Sequence, residues 1–500
     1  MKNTRKHRSA FHTIMVCIMM SMLVVSISGC DEDDEVADVV NAPAATDNVP
    51  KYIFFFIGDG MASPQVNLTE AALADPEFKL ADGVVTLGTM NLQMFPVSGM
   101  ATTHSNDKYI TDSAAAGTAL ACGEKTKNGV IAKNPSMQDL KTIAEMAKDK
   151  GMKVGIVSSV SIDHATPACF YAHNEDRGHY DEIAKHMDDS NFDYFGGGFA
   201  RGDNNGDVIT HLQGAGYTVT DTHAELTSVP VGQKCWAYTE HDRSKALYYE
   251  IDRMNMTPED HISLAEFTKQ GIRLLDNDDK GFFMMVEGGK VDWACHANDA
   301  VSATHDMVAF DNAIAVAIDF YNQHPDETLI VVTGDHECGG LTLGYAWPNG
   351  KNTDFSLLKH QKISFQEYKV IVDSWKPAAK TFEEALEHVK EHFGLGDAGK
   401  GLELTANDST RLKEAFDHSM LDTANRGEEE VYLKYGRSYD PFTVTVTHIL
   451  NEKAGIGWTS YYHTGVAVPV YALGAGANLF NGSYDNTDIP KKIITAGELN

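Results

Sequence analysis

The sequence predicts an α/β protein with a doubly wound, mostly parallel central sheet and helices on both faces. Short continuous apolar runs, typical of strands buried on both sides, recur along the 500 residues. Helical patterns lie between successive runs, which favours crossover connections and parallel strands. Polar side chains follow several runs, and ligands of such sheets bind at the carboxyl ends of the strands.

Four segments end in acidic or histidine side chains. Asp59 follows Tyr52–Gly58, Glu287 follows Phe282–Val286, Asp335 and His336 follow Leu329–Gly334, and His463 follows Thr459–Tyr462. Because the carboxyl ends of parallel strands share one sheet edge, we expect these groups to meet there and form a metal site.

The other elements are predicted from apolar runs, caps and turn residues. The predicted strands are Tyr52–Ile57, Lys153–Val157, Phe192–Tyr194, Tyr217–Thr220, Gly281–Val286 and Thr328–Val332. The predicted helices are Gln65–Ala74, Ala114–Ala121, Met137–Lys148 and Asp299–Asn322. A further helix is predicted to begin at Thr257 to Asp260 and to end near Leu275. The alternation indicates one catalytic domain over residues 50–500.

Residues 341–455 have a different character and are interpreted as an insertion in that domain. Phe382–His392 and Ser409–His418 are typical of helices, and glycine-rich residues 394–401 separate them. We expect the insertion to form a cap or crown on the main sheet, lining the mouth of the site or contacting a second subunit.

The first 29 residues have the pattern of an export signal. Basic residues precede an apolar stretch, Ile14 to Val25, and small residues precede Cys30. This resembles a bacterial lipoprotein signal with lipidation at Cys30; a simple secretory signal or an uncleaved anchor is the alternative. Residues 30–49 are interpreted as an acidic, disordered tether. We therefore expect export and a lipid anchor on the periplasmic or extracellular face of a bacterial membrane.

Charge and cysteines narrow the class of protein. The first 29 residues hold four of the 41 basic and none of the 71 acidic residues, so the remaining chain has a formal charge of −34. Such a surface repels nucleic acid, and no nucleic-acid partner is expected. Beyond Cys30 there are five cysteines with no CxxC spacing. We expect all five to be free.

Several of the polar residues have spacing suited to metal binding. Asp292 and His296 are four apart, which places them on one face of a helical turn. Carboxylates with imidazoles favour zinc, whereas Asp59 and Glu287 with hydroxyls would suit magnesium. Taken singly, each signal has an ordinary alternative, since an aspartate after a strand often caps a helix and His463 could be a loop histidine.

Ser113 is the candidate nucleophile. It precedes a stretch of small helix formers, Ala114 to Ala121, and so would lie at a helix N-terminus that favours anions. An alcohol needs a base or a metal to become a good nucleophile. The alternative is that Ser113 only caps the helix.

Six motifs, in order over roughly residues 50–340 and 455–495, resemble the alkaline phosphatases. They are Ile57-Gly-Asp59-Gly-Met61, Thr111-Asp-Ser113-Ala-Ala-Ala-Gly-Thr-Ala119, His164-Ala-Thr166-Pro-Ala168 with Arg177, Val286-Glu287-Gly-Gly-Lys-Val-Asp292 with His296, Thr333-Gly-Asp335-His336, and His463-Thr-Gly465. The insertion and the first 49 residues lie outside this resemblance. It implies the alkaline-phosphatase-like fold and hydrolysis of small-molecule phosphate monoesters.

The resemblance also implies two zinc ions and one magnesium ion. It assigns one zinc to Asp292, His296 and His463, the second to Asp59, Asp335 and His336, and the magnesium to Asp59, Thr166 and Glu287. Ser113 would accept the phosphoryl group and pass it to water, Arg177 would bind phosphate oxygens, and Asp112 would orient Arg177. A homodimer is implied by the resemblance alone.

Two positions are variable in that family, and some members carry Asp and Lys where this chain has His164 and Trp293. A histidine there could bind a metal or hold a water molecule. A tryptophan removes a cationic phosphate contact, so we expect weaker binding of product phosphate than in members with Lys.

Two rival functions are considered. A related diesterase or sulfatase would carry a threonine pattern or a Cys/Ser-x-Pro-x-Arg motif, and Ala114-Ala115 after Ser113 matches neither. A non-catalytic metal- or phosphate-binding lipoprotein would be expected to lack Ser113, Arg177 or a ligand, and all are present.

Overall fold

The computed structural model describes residues 48–74, 87–239, 242–257, 259, 261–277, 279–346, 353–421 and 428–500. The predicted signal, Cys30 and nearly all of the predicted tether lie outside these residues. All described residues belong to one compact unit, Ala42–Asn500. Among them, none of the helices combines the length and hydrophobicity needed to cross a bilayer.

A ten-stranded sheet forms the centre of the described fold. Its strands are β1 (Tyr52–Gly58), β2 (Val97–Thr102), β3 (Lys153–Ser161), β4 (Tyr194–Gly198), β5 (Thr218–Thr220), β6 (Cys235–Tyr238), β7 (Phe282–Glu287), β8 (Thr328–Gly334), β13 (Val468–Gly474) and β14 (Gly482–Asp485). Four two-residue strands form two small separate sheets: β9 (Glu337–Cys338), β10 (Thr342–Leu343), β11 (Ile456–Gly457) and β12 (His463–Thr464).

The strand order in the large sheet is β14-β2-β13-β8-β1-β7-β3-β4-β6-β5. Within it, β13 runs antiparallel to both of its neighbours, and the other described pairs are parallel. The predicted mostly parallel sheet is therefore confirmed. The long apolar runs form its buried central strands, as expected where helices cover both faces.

The side chains of β1 show how the two layers form. Phe54 and Phe56 pack into one apolar core, and Ile53 and Phe55 pack into a second core on the opposite face. This alternation follows from the two-residue period of a strand. Helices cover both cores, so the fold is doubly wound.

The helices lie between and around the strands. They are α1 (Ser63–Ala74), α2 (Ser113–Cys122), α3 (Ile143–Asp149), α4 (Ala165–Ala168), α5 (Tyr180–Asp189), α6 (Asp207–Gly214), α7 (His223–Ser228), α8 (Glu250–Arg253), α9 (Leu264–Leu275), α10 (Lys290–His296), α11 (Ala300–Gln323), α12 (Phe365–Ala378), α13 (Phe382–Phe393), α14 (Ala406–Met420), α15 (Glu428–Tyr435), α16 (Pro441–Ala454) and α17 (Asp488–Gly497). The predicted helices in the insertion correspond to α13 and α14.

Two predicted helix starts are wrong. α3 begins at Ile143 rather than Met137, because Met137 has a left-handed φ of 64° and Thr142 accepts the capping hydrogen bond. α9 begins at Leu264 with Ser263 as its cap, so Thr257 does not open it, and Pro258 and Asp260 lie outside the described residues.

One predicted strand boundary is also wrong. The strand predicted at Phe192–Tyr194 begins at Tyr194 and continues through Gly196, Gly197 and Gly198 as β4. A Cβ on Gly197 would lie 1.8 Å from the carbonyl oxygen of Ser158 on β3. Glycine therefore lets β4 approach β3 more closely than a side chain would allow.

Residues 341–455, the predicted insertion, contact Asn298 and Asp299 through buried polar groups. Asp299, the cap of α11, accepts hydrogen bonds from Nε2 of Gln361 and from the backbone N–H of Phe365. Asn298 contacts Nε2 of His448 and accepts through its carbonyl from Asn451. Residues 341–455 therefore pack against the short segment between α10, which carries Asp292 and His296, and α11. All five cysteines after Cys30 are free, as predicted.

Candidate active site

Three carboxylates converge at the carboxyl ends of the adjacent strands β7, β1 and β8. In the sheet register, Ile57 lies opposite both Glu287 and Thr333, and Gly58 lies opposite Gly334. Asp59, Glu287 and Asp335 are therefore neighbours, as the sequence predicts.

The turn after β1 is tight. Gly60 has a left-handed φ of 75°, and its N–H donates to Oδ1 of Asp335 at 3.1 Å. A Cβ there would lie 2.8 Å from Cα of Asp292. Glycine is therefore required for α10 to approach the strand ends.

One cluster joins Asp292, His296 and His463. Nε2 of His296 lies 3.2 Å from Oδ2 of Asp292, and Nε2 of His463 lies 3.5 Å from Oδ1. The outer nitrogens face backbone carbonyls, Nδ1 of His463 lying 2.8 Å from the oxygen of Thr111. Each imidazole is thus oriented with Nε2 toward the cluster.

The position of His463 differs from the prediction in one respect. The segment Thr459–Tyr462 is not a strand, and His463 begins β12, which pairs with β9 outside the large sheet. The backbone N–H groups of Thr459 and Ser460 both donate to the carbonyl of Gly339. His463 therefore reaches the cluster through a local turn.

A second cluster joins Asp59, Asp335 and His336, all buried. Nε2 of His336 lies 3.1 Å from Oδ2 of Asp335 and 3.4 Å from Oδ1 of Asp59. It also lies 3.3 Å from Oγ of Ser113. The candidate nucleophile thus adjoins this cluster.

A third cluster joins Asp59, Glu287 and His164. Oγ1 of Thr166 lies 3.4 Å from Oδ2 of Asp59, and Ser158 donates to Oε2 of Glu287. Ser158 was missed from the sequence, since it lies inside β3 and no motif marks it. His164 enters this cluster beside the predicted set.

Asp112, not Ser113, caps α2. Oδ1 of Asp112 accepts from the N–H of Ala115 at 3.0 Å, and Ser113 is the first helical residue. The interpretation of Ser113 as only a cap is therefore wrong. Oδ2 of Asp112 accepts from Nη1 of Arg177 at 3.0 Å, while Nη2 of Arg177 lies 3.2 Å from Nε2 of His164.

Trp293 lies among cationic side chains. Its ring is 5.5 Å from that of His164, and the guanidinium of Arg201 and the ammonium of Lys290 lie 5.1 and 5.0 Å from its centre. Arg201 was not identified from the sequence, because its approach depends on the packing of the loop after β4. Its charge lowers the pKa of His164, after burial and Arg177.

Cys338 was also missed, although it lies two residues after His336. Its sulfur is grouped with Asp292, His296 and His463, but the thiol donates to the backbone carbonyl of Asp292 at 3.6 Å. Burial raises the pKa of Cys338 well above its ordinary value. The thiol of Cys338 thus lies beside the first cluster and contacts the backbone of one of its members.

The carboxyl groups perturb one another strongly. Burial raises the pKa of Asp59 well above its ordinary value, and Asp335 and Asp292 raise it further. Burial raises the pKa of Glu287 to about 7. Burial also acts upward on the pKa of Asp292, but His296 and His463 outweigh it and lower that pKa. All of these carboxylates can be ionised at the same time only when added positive charge offsets their burial and mutual repulsion.

The donor set fits divalent metal ions. Within the three clusters, four buried carboxylate oxygens accept no hydrogen bond: Oδ1 of Asp59, Oε1 of Glu287, Oδ1 of Asp292 and Oδ2 of Asp335. Buried unpaired charges are costly unless they bind cations. The first two clusters, in which imidazoles and carboxylates converge, suit zinc, and Asp59, Glu287 and the hydroxyl of Thr166 in the third suit magnesium.

Comparisons with known proteins agree with this geometry. The alkaline phosphatase family model matches residues 50–197 and 202–499, so the match includes the insertion, which the motif resemblance had left out. Alkaline phosphatase 4 of Bacillus subtilis (strain 168) is 32% identical, with 89% of each chain covered.

Solved structures are also similar. A cold-active alkaline phosphatase from a psychrophilic Shewanella sp. has a TM-score of 0.73 and 30% identity, covering 89% of this chain and 99% of that one. A mutant of TAB5 alkaline phosphatase with Mg bound has a TM-score of 0.59 and 25% identity, covering 91% and 99%. The chain therefore belongs to the alkaline phosphatase family and is a metal-binding hydrolase of phosphate monoesters.

Proposed function

We propose that Ser113 is the nucleophile of this hydrolase. Its Oγ, after releasing its proton to water, would form a bond to phosphorus as the bond from phosphorus to the leaving oxygen breaks, and the leaving oxygen would take up a proton from water and depart as an alcohol. Water would then cleave the phosphoserine, releasing inorganic phosphate and regenerating the Ser113 hydroxyl. The observation that carries this proposal is the 3.3 Å separation between Oγ of Ser113 and Nε2 of His336.

Arg177 would bind the non-bridging oxygens of the phosphoryl group. A guanidinium offers parallel N–H donors that match phosphate geometry. The contact of Nη1 with Asp112 fixes its orientation relative to α2, at whose first residue the nucleophile lies. The carboxylate of Asp112 would thus fix the position of Arg177 relative to Ser113.

We assign two zinc ions and one magnesium ion to the three clusters. One zinc would be held by Asp292, His296 and His463, the other by Asp59, Asp335 and His336, and the magnesium by Asp59, Thr166 and Glu287, beside His164. When bound, these ions would lower the pKa of the attacking hydroxyl and stabilise charge on the attacking and leaving oxygens. They would also make the pocket attractive to a phosphate dianion within a strongly acidic protein.

Trapping the phosphoenzyme tests the role of Ser113. The metal-loaded enzyme is mixed with p-nitrophenyl phosphate, quenched in acid and digested for mass spectrometry. We expect phosphate on Ser113, and a loss of at least about a thousandfold in kcat for Ser113→Ala. Ser105→Ala removes another buried serine from the nearby loop and should stay active. Phosphate on a different residue would refute the assignment.

A diester substrate tests the reaction class. Bis(p-nitrophenyl) phosphate should turn over far more slowly than the monoester, because Arg177 and the metal charge favour a dianion. Equal rates would favour a diesterase.

We also propose export with a lipid anchor at Cys30, and a homodimer. The signal pattern supports the first, and the family resemblance supports the second. Radiolabelled palmitate should label the wild type and not Cys30→Ser, and light scattering on the detergent-solubilised enzyme should give twice the chain mass. Unlabelled wild type, or a monomeric mass, would contradict the respective proposal.

A further inference from the structure

Two histidines and a glutamate form a cluster on α13, inside the insertion. His388, Glu391 and His392 each offer one ligand atom, and these atoms lie within 4.8 Å of one another. The three clusters of the active site meet the same spacing. On a helix, side chains three and four residues apart share a face, and a His pair at i and i+4 is a known zinc-binding arrangement.

Aromatic packing holds both imidazoles in place. The ring of His388 lies 5.5 Å from that of Trp375, which is almost fully buried, and the ring of His392 lies 5.8 Å from that of Tyr368. The two imidazoles are nearly parallel, with an interplanar angle of 11° and centroids 6.2 Å apart. Their positions are thus restricted before any ion binds.

One ring nitrogen of the cluster makes no hydrogen bond. Among the described residues, Nδ1 of His388 is buried without a hydrogen-bond partner. The nearby cation Lys390 is paired with Asp397 at 3.2 Å.

We propose that His388, Glu391 and His392 bind one divalent ion of the zinc class, at a peripheral site distinct from the catalytic clusters. Two imidazoles and a carboxylate are a ligand set that zinc accepts, and atoms bound at about 2 Å from one ion lie up to about 4 Å apart. Small side-chain rotations would therefore complete the site. The ion would join two successive turns of α13 and slow the opening of that part of the helix.

Metal stoichiometry tests the proposal on the full, catalytically loaded enzyme. After equilibrium dialysis against micromolar zinc, the wild type should hold one more zinc ion per chain than the double variant His388→Gln/His392→Gln, with equal kcat on p-nitrophenyl phosphate. Glu391→Gln, which keeps both imidazoles, should weaken this binding about tenfold. Glu387→Gln is the matched control on the same helix and should keep the extra ion.

Fluorescence gives an independent readout if the double variant does not fold. Nickel added to enzyme whose catalytic sites are loaded and whose peripheral site is empty should quench the Trp375 emission, and the quench should disappear in Trp375→Phe and weaken in Glu391→Gln. Hydrogen exchange of the α13 amides should slow when zinc is added. Equal zinc content in the wild type and the double variant, or a quench that Glu391→Gln leaves unchanged, would overturn the proposal.

Discussion

Arg177 donates from Nη1 to Oδ2 of Asp112 at 3.0 Å, and the other oxygen of the same carboxylate caps the helix that begins with Ser113. One side chain therefore fixes the proposed phosphate clamp relative to the proposed nucleophile. Asp112 therefore has two roles: it caps α2, and its charge lies beside Arg177.

Asp112→Asn should separate these roles. Asparagine caps a helix as well as aspartate does, so the free energy of unfolding should change little, while loss of the charge beside Arg177 should lower kcat/KM about tenfold. Asp112→Ala should show the same kinetic loss and also lose about 1 kcal/mol of stability. Steady-state kinetics and thermal melts measure both; equal destabilisation by the two variants would contradict the capping role.

Trp293→Lys should strengthen inhibition by inorganic phosphate. The indole ring lies beside His164, and a lysine there would add a cation near the phosphate site. We expect the inhibition constant for phosphate to fall about tenfold, a change of about 1.4 kcal/mol. Trp293→Phe keeps an aromatic ring without charge and is the control. An inhibition constant unchanged in Trp293→Lys would disprove the idea.

Chelation should abolish activity and lower the melting temperature together. Burial raises the pKa of Asp59 and of Asp335, and neighbouring carboxylates that include Glu287 raise both further, so removing cations leaves repulsion that folding must overcome. A tightly bound ion at a thousandfold its Kd contributes about 4 kcal/mol to the free energy of unfolding.

Calorimetry with EDTA, followed by zinc and magnesium, measures this effect. Glu287→Gln should narrow the gap between the metal-free and metal-loaded melting temperatures. Full activity after complete removal of divalent ions would refute metal dependence.

The ion pair between His173 and Glu145 should make part of the stability depend on pH. Nε2 of His173 lies 3.1 Å from Oε1 of Glu145. Burial acts to lower the pKa of His173, but Glu145 and the carbonyl of Ala132 outweigh it and raise that pKa above 6.5. The stabilisation is therefore complete below pH 6.5 and is lost as the pH rises through the folded-state pKa.

His173→Gln measures this contribution. The substitution should lower the free energy of unfolding by about 1 kcal/mol at pH 6 and by less at pH 9. Denaturant unfolding at both values checks the direction. A larger loss at pH 9 than at pH 6 would show that His173 stabilises the protein in its neutral form.

The sequence predicted six of the ten strands of the sheet and most of the residues that meet in the candidate site, because these depend on local signals. The strands β2, β6, β13 and β14 were not predicted. The apolar runs before Asp59, Glu287 and Asp335 identify central strands, and the shared edge of a parallel sheet then brings those residues together. Arg201 and Ser158 could not be found in this way. Their places depend on how segments distant in sequence pack.

Helix starts were less predictable where several residues could act as caps. Thr257 has a capping side chain and a proline after it, yet Ser263 forms the cap of α9. Competing caps differ by only about 1 kcal/mol, so tertiary packing decides between them. The position of His463 could not be predicted from local sequence either, because it depends on a turn whose backbone N–H groups donate to the carbonyl of Gly339.

The short strand that carries His463 follows the insertion, whereas Asp59, Glu287 and Asp335 precede it. A growing chain on the ribosome therefore presents its acidic groups long before it supplies the last imidazole of the first cluster. On the proposed assignment of His463, catalysis can begin only after synthesis is nearly finished. Prematurely terminated chains that lack this strand would be inert toward the phosphate esters of the cell that makes them.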